Sequence, residues 1–290
     1  METRKTRLPR YQRTPGEMSV RLQDRDREIL KLVYDYRFLS SRQIQRLVAG
    51  SDQLILRRLQ KLFHAGYLDR IKTTNNDVML YALGNKGADE LTLFTDFDRG
   101  RIDWASKNRE AGERYLLHIR MIGNFRETLT LAMRKRPETS LISWKTEGRI
   151  ADDVVVEMGG ERTIKAAIIP DSFFTLQDQG DELYYFLEAD RSTMTNERFL
   201  QKMKNYWQYW KSGKHKTQLG IENFRVLTVT KSEERKENLR RITKEADERK
   251  AGSSMFLFAS EQKFTPEDPQ TLFAPIWQSS KDETQIALLE

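Results

Sequence analysis

The period of the apolar residues changes at Pro137, and that change limits the chain to a helical first part followed by a second part rich in strands. Ahead of it, Ile29, Leu30, Val33 and Tyr36 recur at spacings of three and four, the period of a helix that buries one face. Ile44, Leu47 and Val48 predict a second, short helix with Ser40 or Ser41 as its cap. Ile55, Leu56, Leu59, Leu62 and Phe63 predict a third from Ser51 to Ala65, closed by Gly66. Residues 110–136 read as one long helix, on which Glu127 is expected to face solvent, with approach to a site at the sheet edge as the alternative. Beyond Pro137, β-branched and aromatic runs predict strands at 141–146, 153–158, 163–169, 183–189 and 224–230. Helices are expected at 196–210 and 233–250, and closing strands at 255–259 and 273–277. This order predicts an α+β or α/β fold with a mixed sheet flanked by helices.

Composition removes several chemistries. The 290 residues contain no cysteine, so disulfides, zinc fingers, iron–sulfur sites and thiol nucleophiles are excluded, and three scattered histidines argue against a His-rich metal site. No apolar run approaches the ~18 residues a membrane helix needs, and the basic start lacks an apolar stretch behind it. The expectation is a cytoplasmic protein with no membrane partner. The net charge of +7 is unevenly placed: residues 1–90 carry 18 basic against 11 acidic residues, and residues 91–290 carry 32 of each. Within the balanced part, residues 151–190 hold 10 acids against 2 bases, and residues 191–250 hold 16 bases against 8 acids. A basic first module suggests a polyanion partner.

Four segments follow: a basic mobile arm over 1–21, a module over 22–95, a charged linker over 96–109, and a second domain over 110–290. The third helix of the module carries the functional signal. Gln53, Arg57, Gln60, Lys61 and His64 gather opposite its apolar stripe, where Arg and Lys suit phosphates or guanine edges and Gln suits adenine. Arg42, Arg58 and Lys72 complete the predicted DNA-binding set. A strand over 67–72, a turn over 73–77 (T-T-N-N-D), a returning strand over 78–83 and a closing helix over 86–93 follow. Three helices and a hairpin, with the segments S-S-R-Q-I-Q-R-L-V, L-R-R-L-Q-K-L-F-H-A-G-Y-L-D-R and Y-A-L-G-N-K-G, resemble the winged helix-turn-helix of bacterial DNA-binding proteins. The expected partner is double-stranded DNA.

In the second domain, I-I-P-D-S-F-F-T-L at 168–176 precedes Y-Y-F-L-E-A-D at 184–190. Asp171 and Glu188 are 17 residues apart, which fits one carboxylate on each of two strands joined by the turn D-Q-G-D-E. Glu188 and Asp190 alternate onto one face, so three carboxylates can converge as oxygen ligands for Mg²⁺ or Mn²⁺. The pattern resembles the PD-(D/E)xK nucleases: Pro170, Asp171 and Glu188 match, while Asp190 stands at the lysine position. The resemblance implies a lysine from a neighbouring helix, with Lys202 favoured over Lys204. Asp171, Glu188, Asp190, Lys202 and Lys204 are therefore the candidate catalytic residues, the three acids also being candidate metal ligands, and Tyr184 or Tyr185 stays open as a nucleophile.

I-P-D-S-F-F, F-L-E-A-D-R-S-T and R-F-L-Q-K-M-K-N-Y-W-Q-Y-W, behind a winged helix, resemble the replication-relaxation proteins of plasmids and other mobile elements over residues 22–232. The resemblance implies a role in plasmid replication or transfer, with a metal-dependent DNA nicking activity. A non-enzymatic repressor or replication accessory factor on a degraded nuclease-like scaffold is the alternative. A homodimer or plasmid replication and transfer proteins are the implied protein partners.

Overall fold

Short polar side chains start the helices of the first part of the chain. The computed structural model describes residues 9–16, 18–73, 79–146, 151–158 and 162–290, with backbone only over 151–158 and 162–167. The chain divides into two compact units, Met1–Gly123 and Asn124–Glu290. In the first, α1 (Asp24–Tyr36) begins where Asp26 Oδ2 accepts from the Gln23 N–H at 2.7 Å. After the two-residue strand β1 (Leu39–Ser40), α2 (Ser41–Leu47) opens on a reciprocal cap. Ser40 Oγ accepts from the Gln43 N–H at 3.2 Å, and Gln43 Oε1 accepts from the Ser40 N–H at 3.0 Å. Ser51 Oγ accepts from the Leu54 N–H at the head of α3 (Asp52–His64), as its position predicts.

Strands β2 (Leu68–Ile71) and β3 (Leu80–Leu83) pair antiparallel, and β1 pairs with the other edge of β3. The predicted turn over 73–77 and the start of its returning strand at Val78 fall largely outside the described residues. Helix α4 (Asn85–Leu91) then packs closely on the start of β2. A Cβ on Gly87 would lie 2.2 Å from the Tyr67 carbonyl oxygen, and one on Gly84 2.5 Å from that of Gly66. The two glycines of Leu-Gly-Asn-Lys-Gly are thus required by a close backbone approach.

Two predicted boundaries move. Residues 96–109 hold a helix, α5 (Trp104–Arg109), which belongs to the first unit. Trp104 is buried, and the buried Asn108 donates from Nδ2 to Leu83 O and to Asp69 Oδ2, both at 2.8 Å, while accepting from Arg37 at 2.7 Å. Two isolated residues give no period, which is why this segment reads as a linker. The expected mobile arm is fastened along residues 9–16: Arg13 donates to Phe63 O at 2.8 Å and Leu68 O at 3.0 Å and pairs with Asp69, and Arg70 donates to Arg10 O at 2.8 Å. The unit boundary falls inside the long helix α6 (Glu113–Met133).

The second unit is built on strands β4 (Thr139–Thr146), β5 (Ala151–Met158), β6 (Arg162–Ile168), β7 (Ser172–Asp178) and β8 (Asp181–Asp190). Helices α7 (Asn196–Lys211) and α8 (Lys214–Leu219), strand β9 (Arg225–Thr230), helix α9 (Glu233–Thr243) and strands β10 (Phe256–Ser260), β11 (Trp277–Ser279) and β12 (Gln285–Ile286) follow. Seven strands form one mixed sheet in the order β12-β11-β10-β9-β8-β7-β4, and β5 and β6 make a separate antiparallel pair. Strands β8, β9 and β10 run parallel, each pair joined through helices. The predicted mixed sheet flanked by helices is the fold that forms.

Alternation along the strands divides the core. Phe173, Phe186, Val226 and Phe258 meet Phe199, Met203 and Tyr206 of α7 and Leu239 of α9. On the other face, Phe125 of α6 packs against Phe174 and Trp277 at ring separations of 5.9 and 6.3 Å. Glu127, expected in solvent, is fully buried. The closing strand expected over 273–277 forms later, as β11 from Trp277, and is preceded by a 3₁₀ turn (Pro269–Phe273), which Pro269 favours at its first position. Among the described residues no helix is long and apolar enough to cross a membrane.

Candidate active site

At the head of β7, Pro170 cannot donate to a ladder, and Asp171 follows it with its N–H bonded to Leu187 O at 3.1 Å. The register that sets Ser172 opposite Leu187 brings Asp171 opposite Glu188, and Asp171 Oδ2 accepts from the Ala189 N–H at 2.7 Å. Glu188 lies at the carboxyl end of β8, on the face that α7 covers. Lys202 and Tyr206 stand one helical turn apart on α7 and take one oxygen each: Lys202 Nζ donates to Oε2, and the Tyr206 hydroxyl donates to Oε1 at 2.6 Å.

The electrostatics follow from burial. Loss of solvent pushes the Glu188 carboxyl up to about 7, and Asp171 adds to the rise while Lys202 and Tyr206 oppose it. Burial works against the Lys202 ammonium, but Glu188 and Asp171 more than offset it and hold the group above its ordinary value. Burial beside Glu188 keeps the Tyr206 phenol protonated, well above its usual range. The Thr228 side chain, paired in register with Glu188 on β9, is buried with no hydrogen-bond partner for its hydroxyl.

Asp190 does not join this group. Its Oδ1 accepts from Arg235 Nε at 2.8 Å and from the Ser192 N–H at 2.9 Å, and its Oδ2 accepts from Arg235 Nη2 at 3.1 Å. Arg235 also donates to Asn196 Oδ1 at 2.8 Å and Met194 O at 2.7 Å, so the pair ties the end of β8 to the start of α7. Two of the three predicted acids meet, and among the described residues no group of three acidic or histidine side chains is placed to hold a metal. The donors still suit Mg²⁺ or Mn²⁺, which are bound through one or two carboxylates together with water and phosphate. Lys204 lies roughly 200° around α7 from Lys202 and makes no contact with Glu188. Tyr185 is buried, donates to Leu288 O at 2.9 Å and is pushed up to about 12, while Tyr184 bonds Glu182 at the other end of β8. Neither tyrosine approaches the carboxylates.

A sequence profile described as replication-relaxation matches residues 30–223. The chain belongs to the replication-relaxation family. No curated protein matches it. Among solved structures, the restriction endonuclease FokI is similar at 10% identity and a TM-score of 0.31, over 85% of this chain and 43% of that one. The chain spans less than half of that protein's length, and a likeness so slight carries no argument.

In this replication-relaxation chain, the predicted reading face of α3 is mostly free of packing. Arg42, Gln53, Arg57, Gln60, Lys61 and Lys72 are exposed. Arg58 is the exception: it is buried, donates from Nε to Asp26 Oδ1 at 2.7 Å, and is closed by a second bond to the same carboxylate. Its spacing held the signal, because 55, 58, 59 and 62 share one helical face. Leu56, counted with the apolar stripe, is instead 44% exposed. His64 is half-buried, its Nδ1 3.1 Å from the Thr14 nitrogen, and burial, Arg70 and Arg13 lower its pKa. The sequence also missed Tyr206 and Arg235 as members of these networks: Tyr206 stood in an apolar stripe, and Arg235 is one of many charges on α9.

Proposed function

We propose that this replication-relaxation protein binds double-stranded DNA through its first unit, built as a winged helix, and acts on a DNA phosphodiester with its second. The observation that carries the reading is the buried Glu188, pinned by Lys202 beside Asp171 at the end of a parallel strand pair, where α/β sheets commonly place ligands. Asp171 and Glu188 would hold Mg²⁺ or Mn²⁺, which would supply water activation and charge stabilisation when bound. Lys202 would stabilise charge on the phosphoryl oxygens, and Tyr206 fixes the Glu188 carboxylate. Family membership supports a setting in plasmid replication or transfer, in which a second copy or other replication proteins would be partners.

Incubating supercoiled plasmid with the protein and Mn²⁺ tests this. The wild type is expected to nick, with Asp171→Ala and Glu188→Ala at least ~10²-fold slower. Equal nicking by all three would remove these residues from the chemistry. A second reading, a DNA-binding factor on a scaffold that no longer cleaves, is favoured by the commitment of Asp190 to Arg235. It predicts no Mn²⁺ affinity that depends on Asp171.

A further inference from the structure

At the end of the sheet remote from Glu188, the start of β8, the last turns of α7 and the residues before β9 enclose a cavity of about 560 Å³. That volume falls in the range of ligand pockets, ~300–1,000 Å³. Its walls are aromatic: Trp207 and Trp210 stack with ring centroids 5.3 Å apart and 30° between planes, beside Tyr184 and Phe224. Trp210 falls on the same face of α7 as Phe199, Met203 and Tyr206, but it sits in the helix's last turn, where it is 39% exposed and lines the cavity.

Two chemistries use an indole platform, stacking of an unpaired base and capture of a cation. The rim decides between them. Glu182 and Glu222 both line the cavity, and a nucleic-acid backbone entering it would meet their charge. The wall's guanidinium, Arg225, donates to Leu288 O at 3.3 Å and keeps its charge, but the lining sets the carboxylates of Glu182, Glu222 and Glu290 against it. We propose that the cavity binds an arginine side chain of a basic polypeptide partner, its guanidinium plane on an indole and its donors on the two glutamates. Glu182 accepts one bond from Tyr184 and Glu222 pairs with Lys216. Each carboxylate keeps further acceptor sites. The Lys216–Glu222 pair is solvent-exposed, so exchanging it for an incoming guanidinium costs little. Arginine suits the site better than lysine because a planar fork stacks and bonds at once.

Calorimetric titration of the full chain with an octa-arginine peptide, and separately with a single-stranded octanucleotide, tests the assignment. Saturable peptide binding is expected, weakened at least tenfold in Trp210→Ala and in Glu182→Gln/Glu222→Gln, with oligonucleotide affinity unchanged in both. The double glutamine variant alters exposed side chains only and keeps the result independent of any loss of fold in Trp210→Ala. Absence of peptide binding, or peptide affinity equal in all three proteins, would overturn the proposal. Oligonucleotide affinity that falls with Trp210 while peptide affinity does not would also overturn it and make the cavity a base platform.

Discussion

Each unit buries an acid against a base, and the two pairs are built differently. In the first unit Asp26 receives Arg58 Nε on one carboxylate oxygen and Nη2 on the other, and also the Gln23 N–H, while Arg58 Nη2 reaches the Arg21 carbonyl at 3.2 Å. Both carboxylate oxygens are engaged by the guanidinium, and the pair locks α3 to α1. In the second unit Glu188 meets a lysine, a point charge on a flexible stem, and a phenol, with Asp171 alongside. Two carboxylates there share one ammonium, and Glu188 titrates near 7. A saturated pair holds a fold together, whereas an acid left with a displaced pKa is poised to exchange a proton or a cation. Asp190–Arg235 is built like the first kind although it sits two residues from Glu188.

The sharpest break in this comparison is Asp26→Ala. It leaves the Arg58 charge buried without its partner, a loss of about 3–5 kcal/mol, and Asp26→Ala/Arg58→Met should recover most of it. Thermal or urea unfolding reads both. A cost under about 1 kcal/mol would put the two pairs in the same class.

Glu188→Gln should cost less, about 1 kcal/mol at or below pH 7, because glutamine resembles the protonated acid that the folded state already favours. The sign of its pH dependence follows from the same displacement. The folded carboxyl titrates near 7 against 4.5 in the unfolded chain, so between those values the folded state binds more protons. The contribution of Glu188 to stability is therefore greatest below the usual carboxylate range and declines as pH rises from about 4.5 to about 7. Subtracting the Glu188→Gln stability curve from that of the wild type should expose this decline. A difference that stays flat through the window would show that Glu188 is charged in the fold throughout.

What the sequence could show depended on whether a feature was local. The caps at Ser40 and Ser51, the α3 stripe apart from Leu56, and the strand pair that brings Asp171 and Glu188 opposite each other are periodic or capped within a few residues, and they form. The contacts that define the site are not local: Tyr206 reaches Glu188 across 18 residues and Arg235 reaches Asp190 across 45, and no period announces a hydroxyl or guanidinium that leaves its helix to meet a strand. Asp190 reads as a third ligand because alternation places it correctly, and only its surroundings commit it elsewhere. Arg58 differs again, since its place among Ile55, Leu59 and Leu62 already turned it inward.

The smallest effect on stability belongs to the face that carries neither kind of pair. Arg57 and Lys61 are exposed on α3, and neither packs into the core beneath them. Arg57→Ala/Lys61→Ala should change stability by no more than about 0.5 kcal/mol, as surface substitutions do. On the proposed reading of this face it should nevertheless weaken duplex binding, and the way it does so separates two roles. A side chain on a phosphate weakens binding to every sequence alike and lowers the slope of log affinity against log salt by about 1, whereas one on a base edge removes discrimination at one position and leaves that slope alone. Measuring the two single variants against cognate and random duplexes at several salt concentrations assigns each side chain, and duplex affinity unchanged in both would exclude this face of α3 from DNA binding.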